Sequence, residues 1–297
     1  MKNTIDKYII FIALSFLCVT ANAQKTVKIL SYNVLYGLKQ DSANIELYKS
    51  FVRDIDPDIV ATQEMNDWTQ ETLEKLAESY GHPYALQSKE EGFPVALTSK
   101  KPLVNFRKVT ENMWHSYIYA KVEGIHVFVI HFSPFDYKKR VKEVENVLAQ
   151  AQSLPNNEPI VIMGDFNSLA ESDDGHYGEE MLQGMVKTEE TRDHVRNLNN
   201  GYFDYSVLNT LKEAGFSDSY KLLTDEFESS LPTHKDGDGK INKETKVIPR
   251  RIDFLWSNPT ASEYITKSEI IKNDKTNIIS DHYPVYVELT LPENRFF

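Results

Sequence analysis

The chain has 297 residues, a formal net charge of −11 and a single cysteine, Cys18. One cysteine excludes an intramolecular disulfide and a cysteine-based metal site. The acidic balance argues against tight, sequence-independent nucleic-acid binding, which rests on neutralising phosphates, although a local basic cleft is compatible with it.

Lys2 and Lys7 precede an apolar run from Tyr8 to Val19, which Ala21-Asn22-Ala23 closes. This is the layout of a secretory signal peptide over residues 1–23, with cleavage expected after Ala23 and export to the periplasm or the exterior. The run is shorter than the roughly 20 apolar residues a membrane span needs, so no transmembrane segment is expected. Leu17 stands before Cys18, where a lipoprotein signal wants a small residue. Cleavage would remove the cysteine and leave a surface charge of about −12. Residues 24–297 are long enough to bury a core without covalent staples, and a single monomeric domain is expected.

In chain order, strands are predicted at Val27–Val34, Asp58–Gln63, Pro94–Ser99, Ile118–Val122, Val127–His131, Pro159–Met163, Ile252–Trp256 and Tyr283–Leu289. Helical spacing appears at Ala43–Asp54, Asp67–Ser79, Lys138–Ser153 and Tyr205–Ala214, clearest at Val141, Val144, Val147, Leu148 and Ala151. The alternation predicts an α/β class. Runs such as Val127–Ile130 and Ile160–Met163 are apolar on both faces and predict strands covered on both sides. The polar stretch from Glu171 to Tyr202 reads as a long surface insertion shaping a substrate entrance, and Leu231–Pro249 as a second long loop.

Chemistry-bearing residues recur where these apolar runs stop. Ile160-Val161-Ile162-Met163 runs into Gly164-Asp165-Phe166-Asn167. In extended backbone alternate side chains share a face, which would put Asp165 and Asn167 into one pocket. Asn33 ends the first mature strand, Glu64 follows the second, and His131 ends a central one; Arg251-Ile252-Asp253 and Ser280-Asp281-His282 come near the C-terminus. An unpaired polar group beside apolar residues is costly, so each of these needs a partner.

Taken in order, Asn33, Glu64, His131, Gly164-Asp165-Phe166-Asn167, Arg251-Ile252-Asp253 and Ser280-Asp281-His282 resemble the endonuclease/exonuclease/phosphatase superfamily. That group contains pancreatic deoxyribonuclease, apurinic endonucleases, sphingomyelinases and inositol polyphosphate phosphatases. The resemblance spans Val27 to Leu289. It implies a deoxyribonuclease-like four-layer α/β sandwich, two packed β-sheets flanked by helices, with the site at one edge. It further implies that Glu64, helped by Asn33 and with Asp281 completing the site, holds a divalent metal. Magnesium suits so sparse a ligand set, with manganese or calcium as alternatives. Asp165 would orient and deprotonate the attacking water, Asn167 would bind the phosphate, and His282 would donate to a phosphate oxygen. His131 would serve the leaving group or the phosphate, and Asp253 is left without a fixed partner. In some relatives a glutamate supports the histidine matched by His131; Glu90 and Glu91 are the candidates.

The substrate is less legible. The inositol 5-phosphatase pattern Pro-Ala-Trp-Cys-Asp-Arg is absent at Pro249-Arg250-Arg251-Ile252-Asp253, and no clear apolar hairpin of the sphingomyelinase kind is evident, although Trp114 and Tyr117 could sit on a loop. Lys100, Lys101, Lys138, Lys139, Arg140, Arg250 and Arg251 could form a basic nucleic-acid cleft. The acidic balance tips the expectation slightly toward a small or lipid-derived phosphoester over DNA or RNA. A non-catalytic binding module on the same fold is the alternative of another class. Asp236-Gly237-Asp238-Gly239-Lys240-Ile241-Asn242 partly matches a calcium loop, but His234 and Thr245 stand where the pattern needs Asp and Glu. His234 is also a candidate flank of the site.

Overall fold

The computed structural model describes residues 24–243 and 247–292; the expected signal segment and Thr245 lie outside them. In chain order the strands are β1 (Gln24–Asn33), β2 (Ile59–Gln63), β3 (Tyr84–Gln87), β4 (Ala96–Ser99), β5 (Val104–Val109), β6 (Ser116–Val122) and β7 (Ile125–His131). They continue as β8 (Ile160–Asp165), β9 (Leu198–Asn199), β10 (Tyr202–Phe203), β11 (Ser217–Asp218), β12 (Asp253–Ser257), β13 (Ile265–Ile270) and β14 (Val285–Pro292). The helical elements are the single turn α1 (Leu35–Leu38), α2 (Ser42–Ile55), α3 (Gln70–Glu78), α4 (Tyr137–Ala151), α5 (Glu179–Thr191), α6 (Ser206–Glu213), and the short α7 (Pro259–Ser262) and α8 (Thr276–Ile279).

Two six-stranded mixed sheets form, ordered β13-β14-β1-β2-β4-β3 and β11-β12-β8-β7-β6-β5. Val27, Ile29, Ala61 and Val287 of one sheet and Val127, Val129, Met163 and Leu255 of the other share one buried core. The outer face of the first sheet is covered by Tyr48, Phe51 and Val52 of α2 and Leu73, Leu76 and Ala77 of α3. Val144, Val147 and Leu148 of α4 and Val207, Leu208 and Leu211 of α6 cover Phe128, Ile162 and Phe254 of the second. The expected α/β sandwich is therefore present, and β7 and β8 are buried along their whole length, as their two-faced apolarity predicted.

The strands missed by sequence pattern lie toward the sheet margins. β5 and β13 are edge strands with polar, largely solvent-facing sequences, so neither carries the apolar alternation that marks a strand. Helix α3 begins at Gln70 rather than Asp67, because Asp67 has φ 63° and Thr69 caps the helix in a reciprocal box with Thr72.

The insertion after β8 is structured, contrary to its reading as a bare loop. A 3₁₀ turn (Glu171–His176) leads into α5, whose first turn carries Glu179 and Glu180, favourable charges at a helix N-terminus. Only a narrow stripe of α5 packs: Met181 and Met185 meet Leu169, Tyr177, Leu231 and Ile252. So thin a stripe in a polar segment gives little periodicity to read. The base of the insertion is pinned to the segment just before β12. Arg251 Nε donates to Asp173 at 2.8 Å, and its Nη1 lies 2.6 Å from Asp218; both Arg251 and Asp173 are essentially solvent-free.

Two close backbone approaches shape the site edge. Gly164, with φ 143°, sits where an added Cβ would lie 2.0 Å from the Ile130 carbonyl oxygen of β7. From Leu35 to Gln40 every residue has positive φ, a left-handed turn that docks on the loop after β2: Gly37 N–H donates to Glu64 O at 2.6 Å and Trp68 Nε1 to Gly37 O at 3.0 Å. Such backbone costs about 1–2 kcal/mol per non-glycine residue and persists only where its surroundings over-determine it.

Gly164→Ala is expected to destabilise the fold by about 3 kcal/mol or more, because β7 and β8 must separate to admit the methyl group. Urea unfolding followed by circular dichroism measures it; an unchanged midpoint would show that the close approach is not needed.

Candidate active site

Strand register assembles the site. β7 runs parallel to β8 with His131 opposite Asp165, and β12 runs antiparallel to β8 with Asp253 opposite Asp165. These three residues therefore form one row across the second sheet. In the first sheet β1 and β2 run parallel with Asn33 opposite Gln63, so Glu64 emerges immediately beyond. His282 arrives on the loop before β14.

Asp165 is the meeting point. Its Oδ2 accepts from Asn33 Nδ2 at 3.0 Å and lies 3.6 Å from His131 Nε2 and 4.0 Å from His282 Nε2. Its Oδ1 accepts from the Asn167 backbone N–H at 2.8 Å. Burial, reinforced by the Asp253 carboxylate, pushes the Asp165 carboxyl up to about 7. Asn167 reaches the site differently from the strand-alternation expectation. Its φ is 48°, so the chain has left the strand, and an Asp165-capped turn places it with its Nδ2 donating to Phe132 O at 3.1 Å.

The two histidines differ in charge state. His282 Nδ1 bonds Asp253 Oδ2 at 2.8 Å, which supplies the partner that sequence alone left open. Burial disfavours the His282 cation, but Asp253, with Asp281 and Asp165, outweighs it and holds the imidazole well above its usual pKa. Asp253 is itself positioned by Ser230, whose Oγ accepts from the Ile252 and Asp253 backbone N–H groups at 3.0 and 3.1 Å. His131 is buried and pushed well below its usual range by burial and then by the neighbouring His115, His282 and Lys89. It stacks on His115 with ring centroids 4.2 Å apart, and its Nδ1 has no hydrogen-bond partner among the described residues.

Neither Glu90 nor Glu91 supports His131. Glu90 accepts from Gln70 N–H at the start of α3, and the charge that approaches His131 is Lys89. A carboxylate that sequence reasoning passed over does position this corner: Glu143, fully buried on α4, accepts from Ser133 N–H at 2.8 Å and from Trp114 N–H. It had looked like one of the charges between apolar helix positions, and nothing in the local sequence marks it as different.

Glu64 Oε1 accepts from Asn33 Nδ2 at 3.2 Å and Oε2 from Tyr36 N–H at 2.9 Å. Asn33 thus bridges Glu64 and Asp165, while its Oδ1 accepts from Leu35 N–H. Burial, and among its charged neighbours Asp281, raises the Glu64 carboxyl. Asp281 is partly exposed, and Ser280 Oγ donates to its Oδ1 at 3.3 Å. Asp165, Asp253 and His282 also bring ligand atoms within 4.8 Å of one another, close enough to hold a metal ion. In that second set, however, Asp253 already neutralises His282.

The basic residues do not gather into one cleft. Lys100 pairs with Asp56 and Asp58, Lys139 donates to Asn112 O, and Arg251 is buried against Asp173. Only Arg140 and Arg250 line a common cavity, beside Asn167. Trp114 is exposed and meets Phe135 edge-to-face with ring centroids 5.4 Å apart, whereas Tyr117 is buried in β6. The calcium-like stretch is a turn: the Asp236 carboxylate accepts from Asp238 and Lys240 N–H at 3.1 and 2.8 Å. His234 is tied by its backbone to Asn277.

Residues 30–282 match the model of the Endonuclease/Exonuclease/phosphatase family, and the chain belongs to it. Membership carries the class of chemistry, hydrolysis of phosphoester bonds. Among solved structures, an AP endonuclease from Archaeoglobus fulgidus is 17% identical with a TM-score of 0.66, over 88% of this chain and 98% of that one. A 3′ phosphatase from Neisseria bound to product DNA hairpin is 17% identical with a TM-score of 0.64, over 89% and 99%. An endonuclease/exonuclease/phosphatase from Beutenbergia cavernae is 15% identical with a TM-score of 0.60, over 90% and 72%. A search of curated protein sequences finds no match.

A folded-state pKa raised above the unfolded value contributes stability that is complete below about 6.5 and is lost as pH rises through the folded value. His282 follows this sign. In metal-free protein its imidazole is expected to stay protonated through neutral pH, and in Asp253→Asn to titrate below that. NMR titration of the ring protons checks it; equal titration in both proteins would remove Asp253 as the cause.

Proposed function

We propose that the protein is an exported, divalent-metal-dependent phosphoesterase that cleaves a P–O bond by direct attack of water. The observation that carries this reading is the convergence on Asp165 of the His131 and His282 imidazoles, at 3.6 and 4.0 Å, and the bridging Asn33 amide.

Asp165 is the base. It takes a proton from the attacking water as the water oxygen bonds to phosphorus, and the bond to the leaving oxygen breaks. His282 is the one histidine able to surrender a proton to a phosphoryl oxygen, and Asp253 stabilises its charge throughout. His131, being neutral, contributes a hydrogen bond rather than a proton. Asn167 stands beside Asp165 to contact the phosphate. Such chemistry depends mainly on positioning and charge stabilisation.

The donor set fits a divalent cation on the Glu64 side. Glu64 and Asp281 are mutually repelling carboxylates, and neither forms an ion pair with a cationic side chain among the described residues, whereas the Asp165–Asp253–His282 set is partly self-neutralised. Glu64 and Asp281 would hold the ion, with Asn33 fixing Glu64 against Asp165. Sparse oxygen ligation favours magnesium. The ion would supply charge neutralisation at the phosphate.

The DNA named with the Neisseria structure supports a nuclease alternative, and the net charge of −11 weighs against it. Export rests on the sequence of residues 1–23. Among the described residues no helix is long and apolar enough to cross a membrane.

Mature protein is expected to hydrolyse bis-(p-nitrophenyl) phosphate with magnesium and to lose the activity in EDTA. Asp165→Asn is expected to lower kcat by about 10²–10⁴-fold. The same protein assayed on plasmid DNA, RNA, sphingomyelin, inositol phosphates and sugar phosphates reports the substrate class. Undiminished hydrolysis by Asp165→Asn would remove Asp165 as the base.

A further inference from the structure

One charged group next to the site has no role in this chemistry. Arg250 is partly buried at the end of the 231–249 loop, and its guanidinium makes no hydrogen bond or ion pair among the described residues. Its neighbour Arg251 is buried, with Nε held by Asp173 and Nη1 by Asp218. Arg250 is close enough to Asp165 and Asp281 to feel both carboxylates, although burial pulls its pKa down. An unpaired, partly desolvated guanidinium beside a phosphoester site is a ready anion receptor, because its planar fork matches phosphate or carboxylate oxygens.

Arg250 opens into a cavity of about 430 Å³ that begins at Asn167. Leu169 and Ile252 contribute apolar surface, and α5 forms a wall through Met181, Met185 and Gly184. Arg140 lies in the same lining, but Asn197 and Ser133 O already hold its Nη1, at 2.7 and 3.0 Å. Glu180 stands on the exposed first turn of α5. The volume falls in the range of small-molecule sites, and methionines adapt to the carbon face of varied ligands.

We propose that this cleft is the subsite for the group esterified to the scissile phosphate. In it Arg250 binds a second anionic group, so that the preferred substrate is a compact phosphoester with an additional negative charge. This rests on the phosphoesterase reading above. It also reconciles the acidic surface with an anionic substrate, since the attraction is confined to one cleft.

Calorimetry tests the inference without requiring turnover. In the presence of magnesium, mature protein is titrated with fructose 1,6-bisphosphate and fructose 6-phosphate, and in a second arm with 6-phosphogluconate and glucose 6-phosphate. The doubly anionic member of at least one pair is expected to bind about 10- to 100-fold more tightly, the worth of one charge-assisted hydrogen-bonded contact. A preference in the first arm alone identifies the second group as phosphate; a preference in both identifies a general anion. Arg250→Ala is expected to bring the members of a preferred pair within about threefold of each other, and Arg250→Lys to keep part of the difference. Gly184→Phe is expected to weaken every ligand, since a side chain there meets open space in the fold but enters the cleft. Equal affinities within both pairs for the native protein, or an Arg250→Ala loss shared equally by both members, would overturn the proposal. Hydrolysis of bis-(p-nitrophenyl) phosphate, assayed in parallel, separates that failure from failure of the phosphoesterase reading.

Discussion

The site depends on the contact between β7 and β8 at Gly164. Parallel pairing there sets His131 beside Asp165, antiparallel pairing on the other side sets Asp253 beside Asp165, and the backbones can approach only because residue 164 has no side chain. Geometry that would otherwise need flexible loops is thereby fixed by main-chain hydrogen bonds. What the loops add is a balancing cation: His282 comes from one of them, and its bond to Asp253 sets a resident proton beside the two carboxylates of the row. The first sheet adds Asn33 and Glu64, and the Asn33 amide is the link that joins the two halves.

The environments of the two histidines divide their work. Both are buried, and burial alone would make both neutral. His282 escapes because a carboxylate touches its far nitrogen. His131 does not, because its neighbours there are another imidazole and a lysine. His115 itself is driven down to about 3, chiefly by burial, so the stacked pair carries no charge at neutral pH. One side of Asp165 can donate a proton and the other cannot.

Much of this was visible in the sequence because polar residues at the margins of apolar runs mark strand ends: Asn33, His131 and Asp165 close β1, β7 and β8, Glu64 follows β2, and Asp253 opens β12. The pairing of Asp253 with His282 could not, because it is made by the packing of a loop over a sheet. The same holds for the loss of a carboxylate partner at His131: Glu90, Glu91 and Lys89 are adjacent in the chain, and only the fold shows which turns inward. Arg250 and Arg251 are alike in sequence yet differ completely, one pinned in an ion network and the other facing a cavity. Edge strands β5 and β13 and helix α5 went unread for a related reason. Elements that bury little apolar surface leave little pattern.

The wall of the cleft has a separate consequence. Helix α5 belongs to a segment inserted after β8; it buries a thin methionine stripe, and its Glu189 accepts from the Asn197 and Leu198 backbone N–H groups. The segment is footed on the Arg251–Asp173 pair at one end and, at the other, on backbone and side-chain bonds from Arg196 and Asn197 to Phe135 and Pro134. If the cleft is the subsite proposed above, changes in the length or composition of that segment would alter what it accepts while leaving Asp165, His131 and Asp253 in place. On the proposed reading, the insertion is the place where a laboratory, or a lineage, could exchange one ligand for another without touching the row on the second sheet.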